Sequence, residues 1–391
     1  MFKSSIKKII FVSGGNISNA VVGFIFLAIV AKYLPLDDFG KYALLTSLLL
    51  VFVKLIDFGS NSVYVTKYIT DNEETFTENF HSLKILLFAV VAPIALLVIN
   101  KFFPNDLLLL IIFLVGLIAY TINFTCYAHF QKVEKYTQLI LLNSLPALVK
   151  IFFAVLIFLG AVKINYVLAF GLFSFSILAD IVLIPFLPSE AKTIKFNFNF
   201  IWLFIKKGIP SGFSQLVQEG WPALNNTITK LVRNYNDVGS FSLASKISNI
   251  FSLISLSVFT VLLPKNAKLK GQKKAYDIKE TIVIALAIIL LAFIAIAVSG
   301  VFIKFVFGTK FEGSLRVLDI LIFSSAFSAI HTFAENYFLV ENKNRFILYT
   351  NVGKLLAFGL TIVIFSKSLG MEGVAYSNLI ASIVALVITV V

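Results

Sequence analysis

Long hydrophobic runs separated by short polar segments recur along the whole chain. Each run approaches the roughly 20 apolar residues that a helix needs to cross a bilayer core. The runs are residues 9–31, 42–66, 83–100, 107–130, 138–159, 164–187, 209–229, 239–263, 281–303, 315–339, 346–366 and 371–391. They are continuous, whereas the strands of a membrane β-barrel alternate apolar and polar residues. The pattern therefore predicts an all-α polytopic membrane protein with about twelve transmembrane helices.

The composition agrees with this class. Of 391 residues, 59% are hydrophobic and only 14% are charged, and the mean hydropathy is +0.94. A soluble domain is about 45–50% apolar and about 25% charged. The net charge of +13 comes without a recognition module, so we assign the lysines to topology and predict no nucleic-acid partner. The one cysteine, Cys126, lies in an apolar run and is expected to pack as a small hydrophobic residue.

The loop charges predict the orientation in the membrane. Loops on the side of the N-terminus carry 19 lysines and arginines, Lys84 included, and the opposite loops carry 10. Because positive loops stay in the cytoplasm, both termini are expected there. Residues 188–208 mix lysines with Phe and Trp, which predicts an amphipathic linker at the cytoplasmic interface. The predicted domains are thus a six-helix lobe at 1–187, this linker, and a six-helix lobe at 209–391.

The two halves resemble each other in sequence. A shift of 199 residues aligns Asp38 with Asp237 and Gly40 with Gly239, in a D-x-G-x-[YF] motif that follows the first and seventh spans. We interpret its Asp as a helix cap and its Gly as the residue that permits a tight turn.

A second match supports the same duplication. A shift of 210 residues aligns Lys135 with Arg345 and Gly160 with Gly370. Because each half has an even number of spans, both halves start on the same side of the membrane and have the same orientation. The repeat axis is therefore expected along the membrane normal. This organisation predicts a central cavity and transport by alternating access.

Four lysines inside predicted spans are the candidate substrate-binding residues. A charge at the bilayer centre costs about 2.5–3.5 kcal/mol or more, and such residues carry function by default. Lys54 and Lys246 lie in the second and eighth spans, and Lys150 and Lys354 in the fifth and eleventh. The repeat makes each of these pairs of spans equivalent. A cavity with these cations would favour an anionic substrate.

Three acids inside spans are candidates for coupling or for lining the cavity: Asp57, Asp180 and Glu219. Asp57 lies three residues after Lys54, so the two share a helix face. Either they neutralise each other as an internal ion pair, or Lys54 contacts the substrate while Asp57 tunes it or carries a coupled proton. Glu219 lies in a polar, proline-interrupted run, which is typical of a helix that lines a cavity.

Enzyme signatures are absent from the sequence. The three histidines, His81, His129 and His331, lack metal-ligand spacing, and no phosphate-binding loop of the type G-x-x-x-x-G-K-[ST] occurs. We expect His129 and His331 to be packed or interfacial rather than proton relays. The sequence predicts a protein that is not an enzyme and has no cofactor.

The chain resembles a known family. GNISNAVVGFIFLAIVAKYLPLDDFGKYALLTSLL and LIDFGSNSVYVTKYI look like the start of Wzx-type O-antigen and polysaccharide repeat-unit flippases. FVFGTKFEGSLRVLDILIFS (305–324) and FLVENKNRFILYTN (338–351) are similar to later parts of that family. These motifs are shared with the wider superfamily of multidrug, oligosaccharidyl-lipid and polysaccharide exporters.

The resemblance implies a substrate and a location. An undecaprenyl-pyrophosphate-linked oligosaccharide, an O-antigen or other surface polysaccharide unit, would be flipped to the periplasmic leaflet of a bacterial inner membrane. Its diphosphate is an anion, which the lysines inside the predicted spans would attract. Membrane lipids and the pathway's polymerase and glycosyltransferases are the implied partners. Two alternatives remain: a cation-coupled drug or small-molecule antiporter, which the cationic spans disfavour, and a membrane glycosyltransferase or polymerase, which would need a larger periplasmic loop.

Overall fold

The computed structural model describes residues 21–66, 73–193, 195–249, 251, 266, 278–341 and 344–390, and this part of the chain contains helices and no strand. Nine helical segments within these residues are long and apolar enough to cross a membrane. Each of the twelve predicted runs contains a helix in the described part of the chain. The prediction of an all-α, multi-pass membrane protein is confirmed.

The helices follow the chain in a simple order. They are α1 (Val21–Tyr33), α2 (Leu36–Asp57), α3 (Ser60–Thr66), α4 (Glu73–Phe102), α5 (Leu107–Lys132), α6 (Tyr136–Phe158), α7 (Tyr166–Leu178), α8 (Phe198–Val232), α9 (Tyr235–Ser248), α10 (Ile278–Val306), α11 (Leu315–Val340), α12 (Asn344–Leu369) and α13 (Met371–Val390). Short 3-10 helices at Ala179–Phe186 and Ser189–Lys192 follow α7, and another at Thr309–Ser314 precedes α11.

The helices form two compact units. Unit 1 comprises Met1–Pro35 and Leu44–Ala223, and unit 2 comprises Leu36–Ala43 and Leu224–Val391. Helices α2 and α8 therefore contribute residues to both units.

Aromatic residues form a core of unit 1 around the beginning of α4. Tyr64 of α3 stacks on Phe80 of α4, with ring centroids 4.0 Å apart, and Phe76 stacks on Phe204 of α8 at 4.6 Å. Phe204 is fully buried, whereas Trp202 two residues earlier is exposed. The first turns of α8 are thus amphipathic, as the pattern of aromatic residues and lysines predicts. Their apolar face packs within unit 1.

The segment before α8 covers the polar first turns of α4. The backbone N–H of Lys195 donates to Ser82 Oγ at 3.0 Å, and that of Asn197 donates to Asn79 Oδ1 at 2.6 Å. These bonds satisfy side chains that would otherwise face apolar surroundings. Helix α4 therefore begins ten residues before the predicted span.

Lys84 lies inside this extended helix. It is only 4% exposed, so its assignment to a cytoplasmic loop is wrong.

The D-x-G-x-[YF] motif has a different role from the one predicted. Asp38 and Asp237 lie inside the first turns of α2 and α9, and the N-cap residues are Pro35 and Asn234. Within unit 2 the two equivalent glycines meet. A Cβ on Gly40 would clash with the carbonyl oxygen of Tyr235 and would lie 3.0 Å from the backbone N of Gly239. The glycines thus permit close packing of two helices rather than a turn, and the capping interpretation is wrong.

Two other repeat-equivalent glycines adopt the same backbone conformation. Gly160 follows α6 with φ 72°, and Gly370 follows α12 with φ 62°. A positive φ after a helix end favours glycine. This agreement supports the predicted duplication.

Candidate functional site

Lys54 lies against helix α5 in unit 1. Its Nζ is 4.3 Å from the ring centroid of Phe124, which is a cation–π distance. Asn61 Nδ2 of α3 donates to the carbonyl oxygen of Phe124 at 3.1 Å. Lys54 and Asn61 therefore both contact α5 at Phe124.

Asp57 is paired with Lys84 and not with Lys54. Its Oδ1 lies 2.5 Å from Lys84 Nζ and also accepts from Ser60 Oγ at 3.3 Å and from the backbone N–H of Asn61 at 3.2 Å. Asp57 is 2% exposed. The carboxylate is therefore compensated by one cation and two further donors.

This pairing speaks against one of the two alternatives for Lys54 and Asp57, and the role of Lys54 at the substrate stays a prediction. The predicted internal ion pair is wrong for a physical reason: α2 ends at Asp57, and α4 is long enough to bring Lys84 to it. Phe58, the next residue, is left-handed with φ 40°. The carboxylate of Asp57 is thus compensated by a lysine on another helix.

Asp180 and Lys150 form a second group of charges in unit 1. Asp180 is fully buried in the 3-10 helix after α7, and Asn123 Nδ2 donates to its Oδ2 at 2.6 Å. Among the described residues its Oδ1 has no hydrogen-bond partner. Lys150 of α6 interacts electrostatically with Asp180, and its Nζ lies 4.9 Å from the ring centroid of Phe173. The acid and the lysine, predicted separately, are thus neighbours.

Unit 1 also contains two cavities of different character. One, of about 310 Å³, has mostly apolar walls and includes His81, Lys84 and Cys126. The other, of about 490 Å³, lies between α3 and α8. Its lining includes three hydroxyl side chains, one cation and two apolar residues: Ser62, Thr66, Ser211, Lys207, Val63 and Pro210. Hydroxyls and a lysine are the donors and acceptors that a sugar or a phosphate would need.

In unit 2 the two predicted lysines lie on α9 and α12. Lys246 is in the last turn of α9 and is partly buried. Lys354 Nζ donates to Ser328 Oγ of α11 at 3.3 Å. Lys354 also interacts electrostatically with Glu335 and His331. The side chain of Glu219 lies outside the described residues, so its role stays a prediction.

Three residues that contact the charged groups described above were not among the site candidates named from the sequence: Lys84, His331 and Glu335. Lys84 stands at the edge of an apolar run, where a loop lysine is expected. His331 and Glu335 are four residues apart on one helix, a spacing that places side chains side by side, and their pairing could have been found from that signal. No group of three His, Cys, Asp or Glu side chains able to hold a metal ion occurs in the described part of the chain.

The sequence profile of a family described as polysaccharide biosynthesis protein matches residues 5–270. The chain belongs to this family. The resemblance to polysaccharide exporters is thereby confirmed. None of the curated proteins matches the chain.

Solved structures show the fold. A lipid II flippase, MurJ, in an inward closed conformation has a TM-score of 0.76 at 16% identity and covers 97% of this chain and 87% of its own. An inward-facing multidrug resistance MATE transporter of the MOP superfamily has a TM-score of 0.74 at 13% identity and covers 95% and 92%. A mutant Vibrio cholerae MATE transporter, VcmN, has 0.57 at 14% identity and covers 99% and 94%. The polysaccharide biosynthesis family member thus has a MurJ- and MATE-like transporter fold.

Proposed function

We propose that the chain is a flippase that moves an undecaprenyl-pyrophosphate-linked oligosaccharide from the cytoplasmic to the periplasmic leaflet by alternating access. The oligosaccharide would be an O-antigen or another surface polysaccharide repeat unit. The protein would act in a bacterial inner membrane with both termini in the cytoplasm, beside the polymerase and glycosyltransferases of its pathway.

The observation that carries this proposal is the membership of a polysaccharide biosynthesis family by a multi-pass membrane protein. Polysaccharide units built on a lipid in one leaflet must cross the membrane to be used on the other side. A transporter fold supplies that step, and the named flippase among the structural neighbours moves a lipid-linked molecule of the same general kind.

The buried lysines support an anionic substrate. Lys150 is 8% exposed and Lys54 is partly buried against an aromatic ring. Holding such charges inside a membrane costs about 2.5–3.5 kcal/mol each, so a compensating role is expected. We assign Lys54 and Lys150 in unit 1, and Lys246 and Lys354 in unit 2, to attraction of the diphosphate.

The three acids have separate roles in this proposal. Asp57 holds Lys84 and fixes the end of α2. Asp180 sets the local charge beside Lys150, and Glu219 remains a candidate for coupling or for lining the transport path. The hydroxyl-lined cavity between α3 and α8 suits the sugar part of the substrate.

Drug or small-molecule antiport is the second candidate, because two of the structural neighbours are MATE transporters. Many drugs that such transporters would carry are organic cations, and buried lysines repel cations. A deletion strain separates the two functions. A flippase predicts loss of surface polysaccharide and cytoplasmic-side build-up of the lipid-linked unit, with unchanged drug sensitivity. Intact polysaccharide assembly would overturn the proposal, and increased drug sensitivity would favour the antiporter.

Complementation of that strain tests the lysines. Lys54→Glu reverses the charge beside Phe124 and is expected to abolish rescue. Lys101→Glu makes the same change at an exposed position in the last turn of α4 and is expected to rescue fully. Equal rescue by the two variants, at equal protein levels in the membrane, would remove Lys54 from the substrate path.

A further inference from the structure

A cavity in unit 1 takes no part in the proposed function. It is the apolar cavity of about 310 Å³, which lies between α4, α5 and the two 3-10 helices that follow α7. Six of its lining side chains are large and apolar: Ile85, Phe88, Ile118, Ile122, Ile184 and Leu187.

The cavity is elongated along α4 and α5. His81 near the beginning of α4 interacts electrostatically with His129 near the end of α5, so the two helices are antiparallel. One end of the cavity is lined by His81 and Cys126, and the other end by Phe88 and Ile118. The two ends are about 10–12 Å apart at the helical rise of 1.5 Å per residue. The mean cross-section is therefore about 30 Å², which is too narrow for a partner's helix about 10–12 Å in diameter.

The cavity opens on a side of unit 1 that faces lipid. In its wall, Ile85 of α4 is 47% exposed and Ile118 of α5 is 40% exposed. Leu86, Val90 and Ile111 on the same two helices are exposed as well. Both helices are long and apolar enough to cross a membrane, so their exposed apolar side chains contact the hydrocarbon core of the bilayer. The cavity is thus continuous with the lipid interface of the protein, and acyl chains lie at its mouth.

Most polar side chains in the wall are bonded within the protein. Thr121 and Thr125 donate to carbonyl oxygens of their own helix, and Lys84 is paired with Asp57. His81 is the exception: it is 7% exposed, and its Nε2 has no hydrogen-bond partner in the described part of the chain. The cavity therefore combines an apolar length with an unsatisfied polar group at the end near the beginning of α4.

We propose that this cavity binds one acyl chain of a bilayer phospholipid, with the ester group of that chain at His81. The polarity of the cavity runs in the same direction as that of a phospholipid, whose ester lies at the interface and whose chain extends into the core. His81 precedes the apolar run that begins at residue 83, and Phe88 lies inside this run. A neutral imidazole with its hydrogen on Nε2 donates to an ester carbonyl, and the described contacts of His81 leave this tautomer open to it.

The bound chain would also attach the segment after α7 to α4. Leu187 and Ala191 of that segment line the cavity, and Thr193 Oγ1 donates to Glu78 Oε1 of α4 at 2.9 Å. A phospholipid adds apolar contacts beside this polar attachment. Because it binds the folded state, it should stabilise unit 1 in proportion to its occupancy.

Native mass spectrometry of the detergent-purified full chain, titrated with dioleoyl phosphatidylglycerol, counts the bound lipids. We expect one lipid to bind more tightly than those that follow. Ile122→Trp fills the cavity and should weaken this first step by about tenfold or more. Ile111→Trp is the matched control, since Ile111 is 52% exposed on the same helix and does not line the cavity. Equal first-step binding by the two variants would overturn the proposal.

An ether lipid tests the polar contact without filling the cavity. The dialkyl ether analogue of the same phospholipid lacks the ester carbonyls, so the wild type should bind it about 2–10-fold more weakly, the effect of one hydrogen bond. His81→Phe should bind the ester and ether lipids equally. Equal binding of both lipids by the wild type, or a preference that persists in His81→Phe, would overturn the placement of the ester at His81.

Thermal unfolding supplies a second readout and a control for folding. A monodisperse elution profile confirms that each variant is folded. Added phosphatidylglycerol should raise the unfolding midpoint of the wild type and of Ile111→Trp by the same amount, and that of Ile122→Trp by less. An equal rise in all three would overturn the proposal, because it would come from lipid bound elsewhere.

Competition with undecaprenyl phosphate separates a phospholipid from the chain of the proposed substrate. We expect the first phosphatidylglycerol to stay bound at equal concentrations of the two lipids. Its displacement from the wild type, but not from Ile122→Trp, would assign the cavity to the polyprenyl chain and overturn the proposal. None of these measurements involves transport, so a phospholipid site stands even where the proposed flipping fails.

Discussion

Two acids inside helices, the buried Asp57 in unit 1 and the partly buried Glu335 in unit 2, are stabilised in different ways. Asp57 contacts the ammonium group of Lys84 directly and accepts two further hydrogen bonds. Glu335 contacts an imidazole and a threonine hydroxyl, while the nearby Lys354 donates to Ser328. Asp57 is thus held by a cation and two further donors, whereas Glu335 is held by an imidazole and a hydroxyl.

The difference concerns the charge of the direct partner. Asp57 contacts the ammonium group of Lys84, so the two charges compensate each other inside unit 1. The direct partners of Glu335 are an imidazole and a hydroxyl, which carry no fixed charge. We therefore expect the Asp57–Lys84 pair to contribute more to stability than the Glu335–His331 pair.

The largest expected effect is on the stability of unit 1. Lys84→Met leaves the Asp57 carboxylate buried without its cation, which costs about 3–5 kcal/mol for a broken buried pair. Thermal unfolding of the purified protein in detergent measures the loss. Lys101→Met, on the exposed end of the same helix, should stay within about 0.5 kcal/mol of the wild type.

A double variant isolates the cause of that loss. Asp57→Asn combined with Lys84→Met removes both charges and should recover much of the lost stability. Equal stability of Lys84→Met and the wild type would mean that the Asp57 pair is not the fixed element described here.

An intermediate effect is expected at Thr389. Thr389→Val removes the hydroxyl that is hydrogen-bonded to His331 Nδ1 while it keeps the shape of the side chain. A buried polar group left without a partner costs about 1–3 kcal/mol. The same unfolding assay measures the effect. Thr361→Val is the control, because the bonds of Thr361 within the described part of the chain go to carbonyl groups of its own helix. An unchanged Thr389 variant would mean that the bond to His331 does not stabilise unit 2.

The smallest effect on stability is expected at Glu335. Glu335→Gln retains groups that can bond to His331 and Thr350, so the loss should be only about 0.5–1.5 kcal/mol, the net value of one hydrogen bond. A loss as large as that of Lys84→Met would place both acids in the same class and remove the contrast between the units.

Sequence patterns predicted the helices well because hydropathy and span length reflect the same requirement, burial of apolar side chains in lipid. They failed at the beginning of α4. Eight of its first ten residues are polar, and the segment before α8, more than 100 residues later in the chain, hydrogen-bonds to two of them. Local hydropathy contains no information on such a distant cover, so Lys84 was placed in a loop.

The candidate site was predicted in part. Lys54, Lys150 and Asp180 were identified from their depth in apolar runs, but their neighbours come from other helices. The neighbours Phe124, Phe173 and Asn123 become known only when helix packing is known. The His331–Glu335 pair is the opposite case, because a spacing of four residues within one helix is visible in the sequence.

The most direct test of the central claim is flipping by the purified protein in lipid vesicles. The probe is a polyprenyl-pyrophosphate oligosaccharide with a fluorescent label on its sugar, quenched from outside by an impermeant reductant. We predict that wild-type protein exposes the inner-leaflet label to quenching and that Lys54→Glu does not, whereas Lys101→Glu behaves as wild type. Quenching limited to the outer leaflet with wild-type protein, as in protein-free vesicles, would contradict the account.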